Sequence, residues 1–407
     1  MTFSITCVDC RTVVAYDDGR ALCVACGGQL DYRFDLVHVT FAADEPSMWR
    51  YRELLPIAAG VAPVSLGEGL TPLVRASLDS GAETWWKNES LNPSGSQKDR
   101  AMSVALTRAS AIGIKGVFVA SAGSTALAAA AYAARAGLSC TVLVGEDATE
   151  RRLLPIAAYG ARIFRVRGSV DDALDLLDRA VRTVGLHDVS TRRAGNPAQA
   201  EGPKTIAYEI AESLGRAPDW IVVPVGGGGT LTAIWRGFVE LQAMGLIDRL
   251  PRLASYQPAG YDTFIPAIEN GWLTDADLRT NAFVDRPPTV QVKIAHTYAP
   301  DGATALDAIR ASGGTALRVT DAESIAGVGE LAATEGILAE PSSGGVVSAV
   351  RQLTSSGLAG RGDVVVGIVG GSGFRELDVL ETAMASGAEF LPDGDQVSFL
   401  AGLRGGR

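Results

Sequence analysis

The sequence predicts an α/β protein: two parallel or mostly parallel twisted-sheet domains with flanking helices, preceded by a small N-terminal unit held by cysteines. Three observations carry this expectation. Short apolar runs alternate with stretches of helical periodicity between residues 84 and 369, the pattern of βαβ units. Several of these runs end in a glycine- or serine-rich loop that opens straight into a helix. Four of the five cysteines, Cys7, Cys10, Cys23 and Cys26, fall in the first 26 residues.

Size and charge narrow the classes. A chain of 407 residues has room for two or three domains with large cores, and 47% hydrophobic with 20% charged residues is a globular composition. A formal net charge of -10 and a pI near 5.0 argue against a broad nucleic-acid or anionic-membrane surface, so an anionic ligand needs a local positive site. No stretch approaches the roughly 20 apolar residues of a membrane span, and the polar N-terminus lacks a signal-peptide pattern. A cytoplasmic location is expected, with neither a membrane nor a nucleic acid as partner.

Taken in order, Cys7-x2-Cys10, twelve residues and Cys23-x2-Cys26 followed by two glycines form two thiolate knuckles with the spacing of a zinc ribbon, assigned to residues 1–36. The metal would be structural, with no open position; two pairs of reduced, metal-free thiols are the alternative. Residues 27–60 carry Tyr32, Phe34, Trp49 and Tyr51 and read as a connector onto the main body. Ser65 to Leu73 is a turn-rich loop and Thr84 to Lys87 a short strand.

A helix is expected from Gln97 to Ala111, opened by the capping-box pair Ser96 and Asp99 and stopped at Gly113. Strands follow at 116–120, 141–144, 162–166, 220–225, 252–256 and 364–369, with helices at 126–136, 150–159, 170–184, 204–214, 230–244, 322–335 and 343–354. Residues 37–101 with 202–390 are assigned to a large α/β domain, 102–201 to a smaller one and 391–407 to a tail.

Lys98 is the residue on which function turns. In the first turn of a helix, unpaired N–H groups and the macrodipole disfavour an ammonium, and burial would push the same way. A neutral amine is what a Schiff-base lysine needs. Three strand-to-helix loops could serve it. Gly226, Gly227, Gly228, Gly229 and Thr230 offer backbone N–H groups to a phosphate, yet lack both the nucleotide P-loop and the dinucleotide fingerprint. Ser121, Gly123, Ser124 and Thr125 suit a substrate carboxylate, and Gly370 to Gly373, with Ser372, end the last strand. Together these fit pyridoxal 5'-phosphate better than a nicotinamide or ATP. The histidines His38, His187 and His296 are scattered and form no triad or metal site.

These residues, with Met48-Trp49-Arg50-Tyr51, the run Asn92 to Arg100, Glu201 to Thr205 and Glu340-Pro341-Ser342-Ser343, resemble the threonine synthases. That family belongs to the fold-type-II pyridoxal-phosphate enzymes, with cysteate synthase, threonine dehydratase and O-acetylserine sulfhydrylase. The resemblance implies that Lys98 forms the internal aldimine and shuttles protons. It implies that Gly226 to Thr230 hold the cofactor phosphate, that Ser121 to Thr125 receive the substrate carboxylate, and that the chain is a homodimer. The implied reaction eliminates phosphate from O-phosphohomoserine and adds water to give threonine.

Some positions depart from that pattern. Ser124 stands where an asparagine usually meets the ring hydroxyl, Gly370 where a threonine hydroxyl faces the pyridine nitrogen, with Ser372 the nearest replacement, and Gln97 where an aromatic residue flanks the lysine. Lys87, Arg100 and Arg375 are candidate cations for a phosphorylated substrate. The alternative within the same chemistry is a divergent β-replacement or elimination enzyme, cysteate synthase-like or serine/threonine ammonia-lyase-like. A non-catalytic ribbon that binds nucleic acid is opposed by Asp9, Asp17, Asp18, Asp31 and Asp35, which outnumber Arg11, Arg20 and Arg33.

Overall fold

The computed structural model describes residues 3–14, 20–37, 39–281, 287–383 and 391; His38 and all of the 391–407 tail but its first residue lie outside them. At the N-terminus, β1 (Phe3–Cys7), β2 (Val13–Val14) and β3 (Leu30–Phe34) form an antiparallel sheet of order β2-β1-β3. Two tight turns follow Cys7 and Cys23, closed by Arg11 N–H to Cys7 O at 3.2 Å and Gly27 N–H to Cys23 O at 2.8 Å. So small a sheet has little interior of its own. Ile5, Leu30 and Tyr32 instead bury themselves against Met48, Trp49 and Leu55 of the connector.

The chain then enters the body with β4 (Leu73–Arg75) and β5 (Glu83–Asn88), followed by α1 (Lys98–Ala111). Next come β6 (Gly116–Ala120), α2 (Ser124–Ala136), β7 (Ser139–Gly145), α3 (Glu150–Ala158), β8 (Arg162–Val166) and α4 (Val170–Val184). Strands β6, β7 and β8 make a wholly parallel sheet. Its core is built on small side chains. Ala126, Ala128, Ala129, Ala130 and Ala133 of α2 are buried against Ala101, Ala105 and Ala109 of α1, which lets the two helices approach closely.

A return through Pro197–Glu201 leads to α5 (Thr205–Leu214), β9 (Trp220–Pro224), α6 (Gly229–Ala243), β10 (Arg252–Pro258), α7 (Phe264–Glu269), α8 (Asp275–Thr280) and α9 (Gly302–Ala311). The rest is β11 (Thr315–Val319), α10 (Asp321–Glu335), α11 (Pro341–Ser355), β12 (Val364–Val369) and α12 (Leu377–Ala383). The second sheet has the order β11-β10-β9-β12-β5-β4 and is parallel except where β4 meets β5.

Of the elements of the body, β4, β11, the helices α7 to α9 and α12 were not anticipated. The first is three residues long, α7 and α8 six each, and α9 opens on Gly302 without a capping side chain. None of the helices among the described residues is long and apolar enough to cross a membrane.

The topology places the functional loops. The carboxyl ends of β6, β9 and β12 and the start of α1 all line one cleft of about 610 Å³, a volume suited to a cofactor with a small substrate.

Candidate active site

Lys98 is the first residue of α1. The turn before it is held by Asp99, whose carboxylate accepts from Ser94 N–H at 3.1 Å, Ser94 Oγ at 2.9 Å and Ser96 N–H at 3.4 Å. Ser96 Oγ accepts from Lys98 N–H at 3.3 Å rather than from Asp99 N–H, so only the Asp99 half of the expected capping box forms, and the helix starts one residue later than expected, after Gln97. Gly95 is required here, with φ +83° and Arg375 Cδ 3.0 Å from where a Cβ would stand. Lys98 lines the cleft and keeps partial access to it. Burial pulls its amine down to about 8, against Asp301 and Glu340, whose charges pull the other way. A substantial fraction is therefore unprotonated in mildly alkaline solution.

The glycine cup stands at the start of α6, and Gly226 to Leu231 line the same cleft. No backbone N–H from Gly226 to Leu231 donates to a carbonyl of the described residues, so these donors are open to a ligand. The backbone behind them is close. At Gly228, φ is +94° and a Cβ would come within 2.8 Å of Asp301 O; at Gly229 a Cβ would come within 2.8 Å of Asp301 Oδ2. Side chains at these positions would collide with Asp301, so glycine is what lets the amides of the cup sit against it. The residues present thus fit a phosphate-bearing cofactor beside an amine.

Ser121, Gly123, Ser124 and Thr125 line the cleft at the start of α2. Ser121 Oγ accepts from Gly123 N–H at 3.1 Å, and Thr125 Oγ1 lies 3.1 Å from Thr191 Oγ1. Ser124 Oγ accepts from Arg375 Nη1 at 2.9 Å, so the short hydroxyl is extended by a guanidinium. Gln97 bridges to the cup, its Nε2 donating to Thr230 Oγ1 at 3.1 Å, while its Oε1 is buried without a partner.

Two sequence-stated roles need correction. Ser372 does not line the cleft; its Oγ accepts from Phe374 N–H at 3.3 Å and caps a short turn. The hydroxyl beside Gly370 is Ser343, which lines the cleft and accepts from the Gly370 and Gly371 N–H groups at 3.0 and 3.2 Å. Lys87 and Arg100 are also misplaced as substrate cations. Arg100 Nε donates to Glu89 at 2.7 Å and its Nη1 to Glu209 at 2.5 Å, and Lys87 Nζ donates to Glu209 at 2.5 Å, all sealed in the core. They fasten β5, α1 and α5 together and do not reach the cleft.

Sequence reasoning missed Ser343 and His296, both of which face the cleft. Ser343 lay inside the quoted Glu340 to Ser343 run, which was a usable signal; His296, from an irregular segment, offered none.

Away from the cleft, the sulfurs of Cys7, Cys10, Cys23 and Cys26 all lie within 4.8 Å of one another, with 3.5 Å between Cys7 and Cys26 and 3.7 Å between Cys10 and Cys23. A tetrahedral tetrathiolate site has edges of about 3.8 Å, so the set can hold a metal ion.

A family model described as pyridoxal-phosphate dependent enzyme matches residues 64–371. Threonine synthase of Methanocaldococcus jannaschii is 35% identical over 387 residues, 91% of this chain and 93% of that one. The chain belongs to the threonine synthase family of pyridoxal-phosphate-dependent enzymes. Threonine synthase of Methanosarcina acetivorans agrees, 36% identical over 382 residues and 91% of each chain. The fold is shared with the solved L-serine ammonia-lyase of Rhizomucor miehei, with a TM-score of 0.64, 21% identity and coverage of 78% of this chain and 99% of that one. As a family member the chain is a pyridoxal-phosphate-dependent lyase, and the fold places Lys98, the cup and the serine-threonine loop around one cleft.

Proposed function

We propose that this enzyme converts O-phosphohomoserine into threonine, releasing phosphate from the γ-carbon and adding water at the β-carbon. The observation that carries the reading is Lys98 in the same cleft as a run of uncommitted amides, Gly226 to Leu231. Pyridoxal 5'-phosphate, when bound, supplies the electron sink for the substrate's carbanions. The chain supplies the rest. Lys98 holds the cofactor covalently and carries protons on and off the substrate carbons. The N–H groups of Gly226, Gly227, Gly228, Gly229 and Thr230 hold its phosphate. Ser121, Gly123, Ser124 and Thr125 orient the substrate carboxylate at the start of α2, and Gly370 and the Ser343 hydroxyl, which line the same cleft, would serve the cofactor ring.

Incubating the loaded enzyme with O-phosphohomoserine tests this. Equal amounts of phosphate and threonine are expected; phosphate release without threonine, or no reaction, rejects it.

A second reading, elimination or β-replacement on an unphosphorylated amino acid, is favoured by the cleft's charges. Arg152 pairs with Glu376 at 2.7 Å, Arg192 with Asp178 and with Asp188 at 3.0 Å, and Lys293 with Glu340 at 2.5 Å and Glu376 at 2.8 Å. These cations are already matched by carboxylates before a substrate phosphate arrives. Turnover of serine, threonine or O-acetylserine faster than O-phosphohomoserine would select this reading.

We further propose that the four cysteines hold a structural zinc ion, with all four positions taken by thiolates and none open for catalysis. The working form is proposed to be a homodimer in the cytoplasm.

A further inference from the structure

We propose that His296 is a second acid–base residue of this cleft, accepting the proton of the water that adds to the substrate. The inference rests on the threonine-forming reading above. His296 sits on an irregular segment pinned at both ends, by Lys293 N–H to Ser342 Oγ at 3.2 Å and by Asp301 N–H to Gly227 O at 2.8 Å. Its imidazole lies against the first glycine of the cup. A Cβ at Gly226 would stand 2.7 Å from His296 Cδ2 and 3.3 Å from its Nε2, so glycine there is what admits the ring.

The ring lines the cleft and makes no side-chain hydrogen bond to a described residue, which leaves its nitrogens for a ligand. The charged groups acting on it come from two other elements, Lys98 at the start of α1 and Asp171 at the start of α4. Burial and the Lys98 charge lower its affinity for a proton below the ordinary histidine range, and Asp171 offsets part of this. At neutral pH it is an uncharged base. Lys98 is meanwhile committed to the cofactor and the substrate carbons, so a separate acceptor for the water proton is chemically useful.

The step balances. Water's oxygen forms the new C–O bond at the β-carbon with a lone pair as the π bond between the α- and β-carbons breaks, its electron pair passing to the α-carbon, which takes up a proton from Lys98. The water O–H bond breaks with its electrons staying on oxygen, and that proton passes to the imidazole, which later returns it to solvent. If water is not captured, the four-carbon enamine left after phosphate loss is released and hydrolyses to 2-oxobutanoate and ammonia.

The test uses loaded wild-type enzyme and the His296→Gln and His296→Asn variants. Threonine per phosphate released is expected to fall about 100-fold, within the range for a lost general base, with 2-oxobutanoate and ammonia taking its place. The wild-type rate is expected to fall as pH drops through the acid limb of histidine, and that limb to vanish in both variants. Nitrogen-15 histidine spectra give a readout independent of turnover. The signal lost in His296→Gln is expected to stay neutral at pH 7 and to move when threonine or inorganic phosphate is added to the holoenzyme. Variants that keep the wild-type product ratio and acid limb, or that lose only cofactor affinity, overturn the inference, as does an unmoved signal. A wild type that makes no threonine instead rejects the parent reading.

Discussion

Burial decides the state of Lys98 more than helix position does. The sequence placed the lysine in a first turn, where the dipole disfavours its charge; the structure adds the cleft wall, which brings the amine to about 8 even with Asp301 and Glu340 opposing. Ser343 and Ser372 make a sharper residue-scale test. Ser343→Ala is expected to shift the visible absorbance of the bound cofactor and lower kcat at least 10-fold, whereas Ser372→Ala leaves the spectrum unchanged, because only the first hydroxyl lines the cleft. Absorbance titration of both variants checks this. The cup and the serine-threonine loop were legible because a run of glycines or small hydroxyls after a strand leaves few other readings. Ser343 was legible only as part of the Glu340 to Ser343 run and His296 not at all, because each meets the cleft through contacts with residues distant in sequence.

At the scale of elements, the Lys87, Glu89, Arg100 and Glu209 network ties β5 to α1 and α5 and so fixes the approach to Lys98. Burial raises the Glu209 carboxyl, but Arg100 and Lys87 outweigh it and hold the group at about 2, below its ordinary 4.5. Its stabilising contribution is therefore complete above pH 4.5 and is lost as pH falls towards 2. Glu209→Gln, which strands the buried Lys87 and leaves Arg100 with Glu89 alone, is expected to destabilise the fold by about 3–5 kcal/mol in urea unfolding at pH 7. A change below about 1 kcal/mol would reduce the network to a surface-like contribution. From sequence the same cations looked free for substrate, since spacing alone does not place the carboxylates opposite them.

Across the molecule, the N-terminal sheet is joined to the body by charge as well as by packing. Asp31 of β3 accepts from Arg193 at 2.8 Å and from Arg236 of α6 at 2.6 Å, and Arg236 also meets Glu201 at 2.8 Å. Metal removal by a chelator is expected to lower Tm by several degrees, and Cys7→Ser to abolish a one-to-one zinc content measured by plasma emission. An unchanged Tm and no bound zinc in the wild type would leave the cysteines as free thiols.

The alternation of strands and helices was readable along the chain, but the order β11-β10-β9-β12-β5-β4 was not. Sheet order is set by which apolar faces meet across hundreds of residues, as when β12 near the C-terminus pairs with β5.

One covalent bond underlies the whole reading, and borohydride trapping tests it most directly. The cofactor is added to the apoprotein, the product is reduced, and labelled peptides are mapped by mass spectrometry at a series of pH values. One label per chain on Lys98 is expected, with capture accelerating as pH rises through about 8 and no label in Lys98→Arg. Labelling at Lys293 or another lysine, or no stable adduct at all, would contradict it.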